Sequence, residues 1–569
     1  MKKPLRILAI LLGGLLALLV ILAVSLTLLV DLNEYKGKIA QAVKDKTGRE
    51  LRIEGKLGWS FFPRIGIETG KVELGNAPGF GPEPFARLDG AGARVELLPL
   101  LRKQVIVDTV FLDGLKLNLA RNAAGKTNWD DLTAPAPSKA GKAAEKTPPG
   151  KAPDLGGIRV NKIDIRRADV TWKDQASNAQ HAVRNLDLQT GKIVVGEPVD
   201  VHLAFDLESS QLPARKHVDL KTRMNLGLET QKLEVTNLAL GFDESLLSGT
   251  LAIKNFDKPS YRFDLALDQI DLDRYMPASP ATAPAAAAAG AKTGTTAPAP
   301  PVEIPLSLLR SLDVQGKLRI QKLKAMNLHS SDVAIQVAAN NGLITLGPNQ
   351  AKLYNGKYAG RTSLDVRGKT PLLTIDESVS GIELAPALKD ALQFDKFAGS
   401  ANLSAKVTAQ GLDARQIKQT LNGSASFGVQ NGAIKGMDLK KMIDAIEAAK
   451  RDKSYQKLAE LSPQPGDETG FSQLSGTAQI KNGVVQNNDL KIQSPKLLNI
   501  SGKGSADLPR ETLDYTVTVG AYPILIDGPF AKPRFRPDWN AILKGRVEEK
   551  KTEIKEKLQE KLKERFKLR

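Results

Sequence analysis

The sequence predicts a mainly β protein: an antiparallel meander of hairpins, with an N-terminal transmembrane helix, a few short helices and a C-terminal amphipathic helix. Three observations predict it. Apolar residues alternate with polar ones in Leu115-Lys-Leu-Asn-Leu119, Tyr261-Arg-Phe-Asp-Leu-Ala-Leu267 and Leu513-Asp-Tyr-Thr-Val-Thr-Val519, the period-two pattern of half-buried strands. Asn-Gly pairs begin at 341, 355, 422, 431 and 482, between such runs, and suit the positive φ of the type I′ turns that join antiparallel neighbours. Of the 569 residues 41% are hydrophobic but only 5% aromatic, enough apolar surface for a core and too few rings for a thick one.

Taken in order, residues 1–30 hold the anchor. Ile7 to Val30 is 24 residues without a charge, about 36 Å as a helix and so long enough to cross a bilayer. Ala23 and Ser25 would suit a signal-peptidase site, but the apolar run continues past them to Val30, which favours an uncleaved anchor. Lys2, Lys3 and Arg6 precede the span and Asp31 follows it, placing the N-terminus in the cytoplasm and, in a bacterium, the bulk of the chain in the periplasm.

Residues 31–133 open with a helix over Leu32 to Thr47, carrying Ile39, Ala40 and Val43 and ending at Gly48 as its C-cap. Two segments that cannot bury a core follow, 134–157 rich in Ala, Pro and Lys and 277–301 rich in Ala, Pro and Thr. They separate β regions at 158–276 and 302–538. Within the latter a helix near 438–460 starts at Asp438 as N-cap and aligns Met442, Ile443, Ile446 and Ala449 before Pro463 and Pro465. Asn431-Gly…Asp438-Leu439 echoes Asn482-Gly…Asp489-Leu490, a sign of repeated hairpins. In 539–569, Leu543 and Val547 are followed by Ile554, Leu558, Leu562 and Phe566 at a spacing of four among Lys and Glu, a basic amphipathic helix suited to a membrane surface, a partner helix or a solvated end.

Function classes fall away quickly. There is no cysteine, which excludes disulfides, thiolate metal sites and thiol nucleophiles. Basic residues number 81 against 63 acidic. Lys2, Lys3 and Arg6 concentrate charge at one end, and eleven basic against six acidic residues from Lys544 to Arg569 at the other, while the rest of the excess is spread thinly along the chain between them. That is a membrane-end pattern rather than a nucleic-acid face. No nucleophile elbow, phosphate loop or His-Glu-x-x-His occurs, and His181, His202, His217 and His329 are too far apart in sequence to share a helical face. Asp130-Asp131 and Glu548-Glu549 read as turn and tail solvation. No catalytic, cofactor or metal residues are predicted, and the chain is expected not to be an enzyme; a hydrolase would need carboxylates or histidines converging in a pocket.

Two readings of the amphipathic strands remain. Their apolar faces close on each other as sandwiches, or they line an open trough. In the second case some thirty strands at about 4.8 Å would make a ribbon of at most about 140 Å, and Phe205, Leu207, Phe263, Leu265, Tyr515, Val517 and Val519 are candidate lipid-track residues.

Three words in the sequence bear on the choice: Gly58-Trp-Ser-Phe-Phe-Pro-Arg-Ile-Gly-Ile67, Gly125-Lys-Thr-Asn-Trp-Asp-Asp-Leu132 and Gly528-Pro-Phe-Ala-Lys-Pro-Arg-Phe-Arg-Pro-Asp538. With the order of anchor, β region and hairpins, the chain resembles the AsmA family of Gram-negative envelope proteins over nearly its whole length. The resemblance implies an inner-membrane-anchored periplasmic protein affecting outer-membrane assembly, related to the longer TamB and YhdP and to the bridge-like lipid transfer proteins, with an apolar β-groove that moves phospholipid. It implies no catalytic residues. Phospholipid and outer-membrane or other envelope assembly proteins are the expected partners, and at 569 residues the chain is expected to work with a partner or on one membrane. A scaffold that steers outer-membrane protein assembly or targeting without carrying lipid is the alternative. Trp59, Phe61 and Phe62 just after the anchor, and Leu558, Leu562 and Phe566 in the tail, are candidate membrane-interface residues.

Overall fold

The computed structural model describes residues 31–60, 65–96, 99, 106–133, 159–194, 196–210, 214–275, 306–436, 438–452, 466–495, 500–520, 522–538, 541, 551 and 554–558. Ile7–Val30, Phe61, Phe62, Leu562, Phe566 and both Ala/Pro-rich segments lie outside them. The chain divides into two units, Met1–Phe256 and Asp257–Arg569.

The first unit opens with a 3-10 turn, Leu32–Glu34, capped by Asp31, and the helix Tyr35–Thr47. That helix ends where the sequence places its stop, on Gly48 at φ 71°, with the Gly48 N–H donating to the Lys44 carbonyl at 2.8 Å. Short strands follow, among them Ile65–Thr69, Gly90–Val95, Ile106–Asp113 and Lys116–Arg121. Six long strands then run Ile163–Asp174, Ala179–Thr190, Val199–Ser209, Lys216–Gly227, Lys232–Phe242 and Ser245–Lys254, each antiparallel to the next.

The second unit starts with Ser260–Asp271 and continues as a meander from Asp313–Ala325 to Arg534–Pro537. Asn341-Gly342 and Asn482-Gly483 take positive φ at both positions and turn hairpins as expected. Asn422-Gly423 and Asn431-Gly432 do not: both lie inside the strand Asn422–Lys435, and at Asn431 the ladder to the preceding strand slips by one residue. The helix Leu439–Asp452 is present, its Lys441 N–H donating to the Asp438 carboxylate at 3.1 Å. The helices Leu306–Ser311, Leu384–Leu392 and Ala414–Thr420 are further interruptions that the strand pattern did not reveal.

The antiparallel expectation is corrected at two places. Strand Ile163–Asp174 runs parallel to Ile106–Asp113 and Lys116–Arg121, and Ser260–Asp271 runs parallel to Asp313–Ala325. Parallel neighbours need a long connection rather than a tight turn, and the chain between each pair contains one of the two Ala/Pro-rich segments. Alternation within a strand cannot report this, because it fixes which face is apolar and not which way the next strand runs.

A buried cluster in the second unit, Ile382, Ala387, Ala401, Val429, Phe471, Ile492, Ile500 and Val519, forms the main core among the described residues. In both units phenylalanine rings are laid flat across a neighbouring strand. Phe111 faces Gly92, Phe263 faces Gly316, Phe427 faces Gly476 and Phe471 faces Gly432, each a direct cross-strand pair in which a Cβ on the glycine would run into the ring. The glycine leaves space for the phenyl to lie across the neighbouring strand.

Candidate functional site

In the first unit one register line carries aliphatic side chains across seven strands. Leu112 faces Ile165, Ile165 faces Leu188, Leu188 faces Leu203, Leu203 faces Leu220, Leu220 faces Leu240, and Leu240 faces Leu247. Six steps of about 4.8 Å make a row of about 29 Å. All seven residues are half-buried. Each such cross-strand contact contributes about 0.2–1 kcal/mol to the sheet. On the same face Val170, Val183 and Leu207 make a second line, and Phe205, Val218 and Phe242 a third.

The row and the second line share one face only because two strands are bulged. Ile165 and Val170 are five apart, as are Val183 and Leu188, an odd spacing that would put each pair on opposite faces of a regular strand. Arg167 and Asn185 take φ of 52° and 50° between them, and each inserts the extra residue that restores the phase. The two bulges complete each other. The Arg167 N–H donates to Asp187 Oδ1 at 2.9 Å, and the Asn185 N–H donates to Asp169 Oδ1 at 3.0 Å. The slip of phase between Ile165 and Ala168 was the signal in the sequence.

The other face of these strands is polar and paired. Arg223 donates to Asp200 at 2.8 Å and Arg184 to Glu208 at 3.3 Å, while His217 Nδ1 lies 2.9 Å from Asp206 and His202 Nε2 lies 3.4 Å from Asp219. The His217 imidazole beside Asp206, with Asn185 and Arg215 behind it, holds that carboxyl below the ordinary 3.8. His181 and His329 have their own partners, Ser209 Oγ at 2.8 Å and Asp390 at 3.1 Å. Among the described residues no group of three His, Asp or Glu is placed to hold a metal ion.

A comparable line in the second unit is closed. Ile382, Ala401, Val429, Leu474, Ile492, Ile500, Val519 and Tyr522 face one another in succession across eight strands. Here Ala401 is 0%, Ile500 2% and Val519 2% exposed. The helix Leu384–Leu392 lies against this sheet and buries Ala387 there, and Ile443 of the helix Leu439–Asp452 packs on the same cluster. The first helix is tied at its far end by a polar group that the sequence did not advertise. The Tyr354 hydroxyl donates to Asp390 Oδ2 at 2.6 Å and accepts the His329 N–H at 3.2 Å, and burial, with Asp390 beside it, pushes the Tyr354 phenol up to about 12.

The sequence-derived track residues therefore fall in different surroundings. Phe205 and Leu207 lie on the half-buried aliphatic face of the first unit. Phe263 lies across Gly316 and Leu265 faces Leu318 in the parallel pair of the second. Val517 packs on the buried cluster and Val519 belongs to it. Tyr515 joins a polar network: its hydroxyl donates to Asn487 Oδ1, and the Asn487 amide donates to the Thr477 carbonyl at 2.7 Å and to Asp489 at 2.8 Å. Of the interface candidates, Trp59 is half-buried opposite Ile67 and Leu558 is 60% exposed. Among the described residues no helix is long and apolar enough to cross a membrane.

Two of the three distinctive words are structural locks. Asn128, 0% exposed, accepts the Ala120 N–H and donates to Asn76 Oδ1 and the Asn118 carbonyl. Ile524 to Pro537 is a hairpin in which Asp527, just before the third word, accepts from that word's Arg534 and Arg536, at 2.8 and 2.6 Å.

Amphipathic hairpins with one ion-paired face and one extended aliphatic face define a class of β-meander proteins organised around an apolar surface rather than a pocket. The AsmA family model matches residues 1–216 and 203–490, and the chain belongs to the AsmA family. It is 24% identical over 545 residues to Protein AsmA of Escherichia coli (strain K12), covering 88% of this chain and 86% of that one. No solved structure matches it.

Proposed function

We propose that this is a non-enzymatic, single-pass inner-membrane protein of outer-membrane biogenesis, its N-terminus cytoplasmic and its bulk periplasmic, which shields phospholipid acyl chains on a β-groove for transport between membranes. The observation that carries the reading is the half-buried row from Leu112 to Leu247. Its length of about 29 Å exceeds the roughly 15 Å depth of one leaflet's hydrocarbon. A surface of this kind gains by covering apolar chains at about 25 cal/mol per Å², and its aliphatic side chains have no polar group to select one headgroup. The charge-free segment Ile7–Val30 and family membership support the anchor and the envelope location.

The test is a photo-crosslinking amino acid placed singly at Leu203, Leu220 and Leu240, and at Lys221 on the polar face, in the full chain in cells. Phospholipid adducts at the three leucine positions and none at Lys221 are expected. A folded, membrane-associated chain without lipid at any of the leucines would sink the groove and leave a scaffold that influences outer-membrane protein assembly or targeting.

A further inference from the structure

The helix Tyr35–Thr47 has one side on the protein and one side without a described partner. Lys36, Ala40, Val43 and Thr47 recur at helical spacing and are half-buried, the face the helix turns to strand Leu51–Ile53. Tyr35, Ile39, Ala42 and Lys46 recur at the same spacing on another face and are all exposed, Tyr35 at 47% and Ile39 at 40%. The helix carries four lysines against one aspartate, and the Lys38 ammonium lies 5.2 Å from the centroid of the Tyr35 ring. An aromatic and an aliphatic residue ringed by lysines is what an anionic headgroup layer accepts: the apolar side chains enter the acyl boundary and the ammonium groups stay with the phosphates.

Four residues separate Tyr35 from Val30, the end of the charge-free segment. Fully extended, the five steps from Val30 to Tyr35 would reach at most about 18 Å, and Leu32–Glu34 is wound into a 3-10 turn, which shortens them. Asn33 of that turn accepts the Leu57 N–H at 3.1 Å, so the turn is also fixed to the sheet. The N-terminal end of the helix, with Tyr35 and Ile39, is therefore held close to the membrane surface if Ile7–Val30 spans it.

We propose that the Tyr35–Thr47 helix is an interfacial helix that lies on the anionic headgroup layer through Tyr35, Ile39, Lys38 and Lys46 and sets the angle at which the first unit leaves the membrane. The inference rests on the anchor reading. Since the chain contains no cysteine, single cysteines can be introduced and labelled cleanly. The full chain is reconstituted in phosphatidylcholine vesicles with and without about a third phosphatidylglycerol, carrying an environment-sensitive fluorophore at Ile39→Cys, at Gln41→Cys on the flank, or at Leu18→Cys. Lipid-attached quenchers placed shallow or deep report depth.

Shallow quenching at position 39 several-fold stronger than at position 41, increased by phosphatidylglycerol and reduced by Lys38→Glu with Lys46→Glu, is the expected result. Deep quenching at 18 with equal, weak quenching at 39 and 41 overturns the interfacial helix and leaves the anchor standing. Absence of quenching at 18 and 39 together overturns both.

Discussion

Arg49 and Asp131, 82 residues apart in sequence, are joined by a guanidinium–carboxylate pair with Nε 2.8 Å from Oδ2. The arginine side chain is 1% exposed, stacks 4.6 Å from the Phe85 ring centroid and donates to the Asn128 carbonyl at 2.6 Å. One residue after the Gly48 cap, it fastens the helix Tyr35–Thr47 to the sheet. Asp131 is thus the mate of a buried cation rather than a solvated turn residue.

Removing Asp131 strands that cation, and Asp131→Ala is expected to destabilise the first unit by about 2–4 kcal/mol. Arg49→Met, which keeps packing on Phe85 and leaves a more exposed carboxylate, should cost less. Urea unfolding of both single variants and the double variant checks this; additive effects would mean that the pair is not coupled.

The same pair sets a pH dependence. The Arg49 guanidinium holds the Asp131 carboxyl below the ordinary 3.8. A lowered folded-state value means stability that is complete above the unfolded value and is lost as pH falls through the folded one. Stability of the parent chain should fall more steeply between about pH 4 and pH 2 than that of Asp131→Asn, and parallel slopes would contradict the assignment.

Phe263 and Gly316 test the flat-ring packing of the parallel pair. Gly316→Ala puts a methyl group where the ring lies, and an overpacking cost of about 1–3 kcal/mol is expected. In the double variant with Phe263→Ala the added cost of the methyl group should largely vanish. Thermal melts of the three variants give the coupling.

Leu203 and Ile500 separate the open row from the closed one. Ile500→Asp buries an unpaired carboxylate at a position 2% exposed and should cost more than about 4 kcal/mol. Leu203→Asp, at a half-buried position, should leave the melt within about 2 kcal/mol of the parent while abolishing lipid crosslinking at Leu220. Equal destabilisation by the two would identify the first unit's row as core.

By itself the sequence determined that the chain is mainly strand, which face of an alternating run is apolar, where the first helix stops, and that no thiol chemistry is present. Those properties are local: they follow from alternation, from Gly48 in the left-handed region and from the absence of cysteine. Membership of the AsmA family was legible too, in words whose residues prove to be locks, such as Asn128, Arg534 and Arg536. The tertiary structure alone decided the rest. Alternation says nothing of strand direction, so the parallel pairs flanking the Ala/Pro-rich segments were hidden, and bulges at Arg167 and Asn185 were needed to bring Ile165 and Val170, and Val183 and Leu188, onto one face. Above all, Leu203 and Val519 read alike as apolar residues of amphipathic strands. One stays half-buried and the other lies in the core around Ala387 and Ile443, because burial depends on what packs over a face, and that is settled by residues distant in sequence.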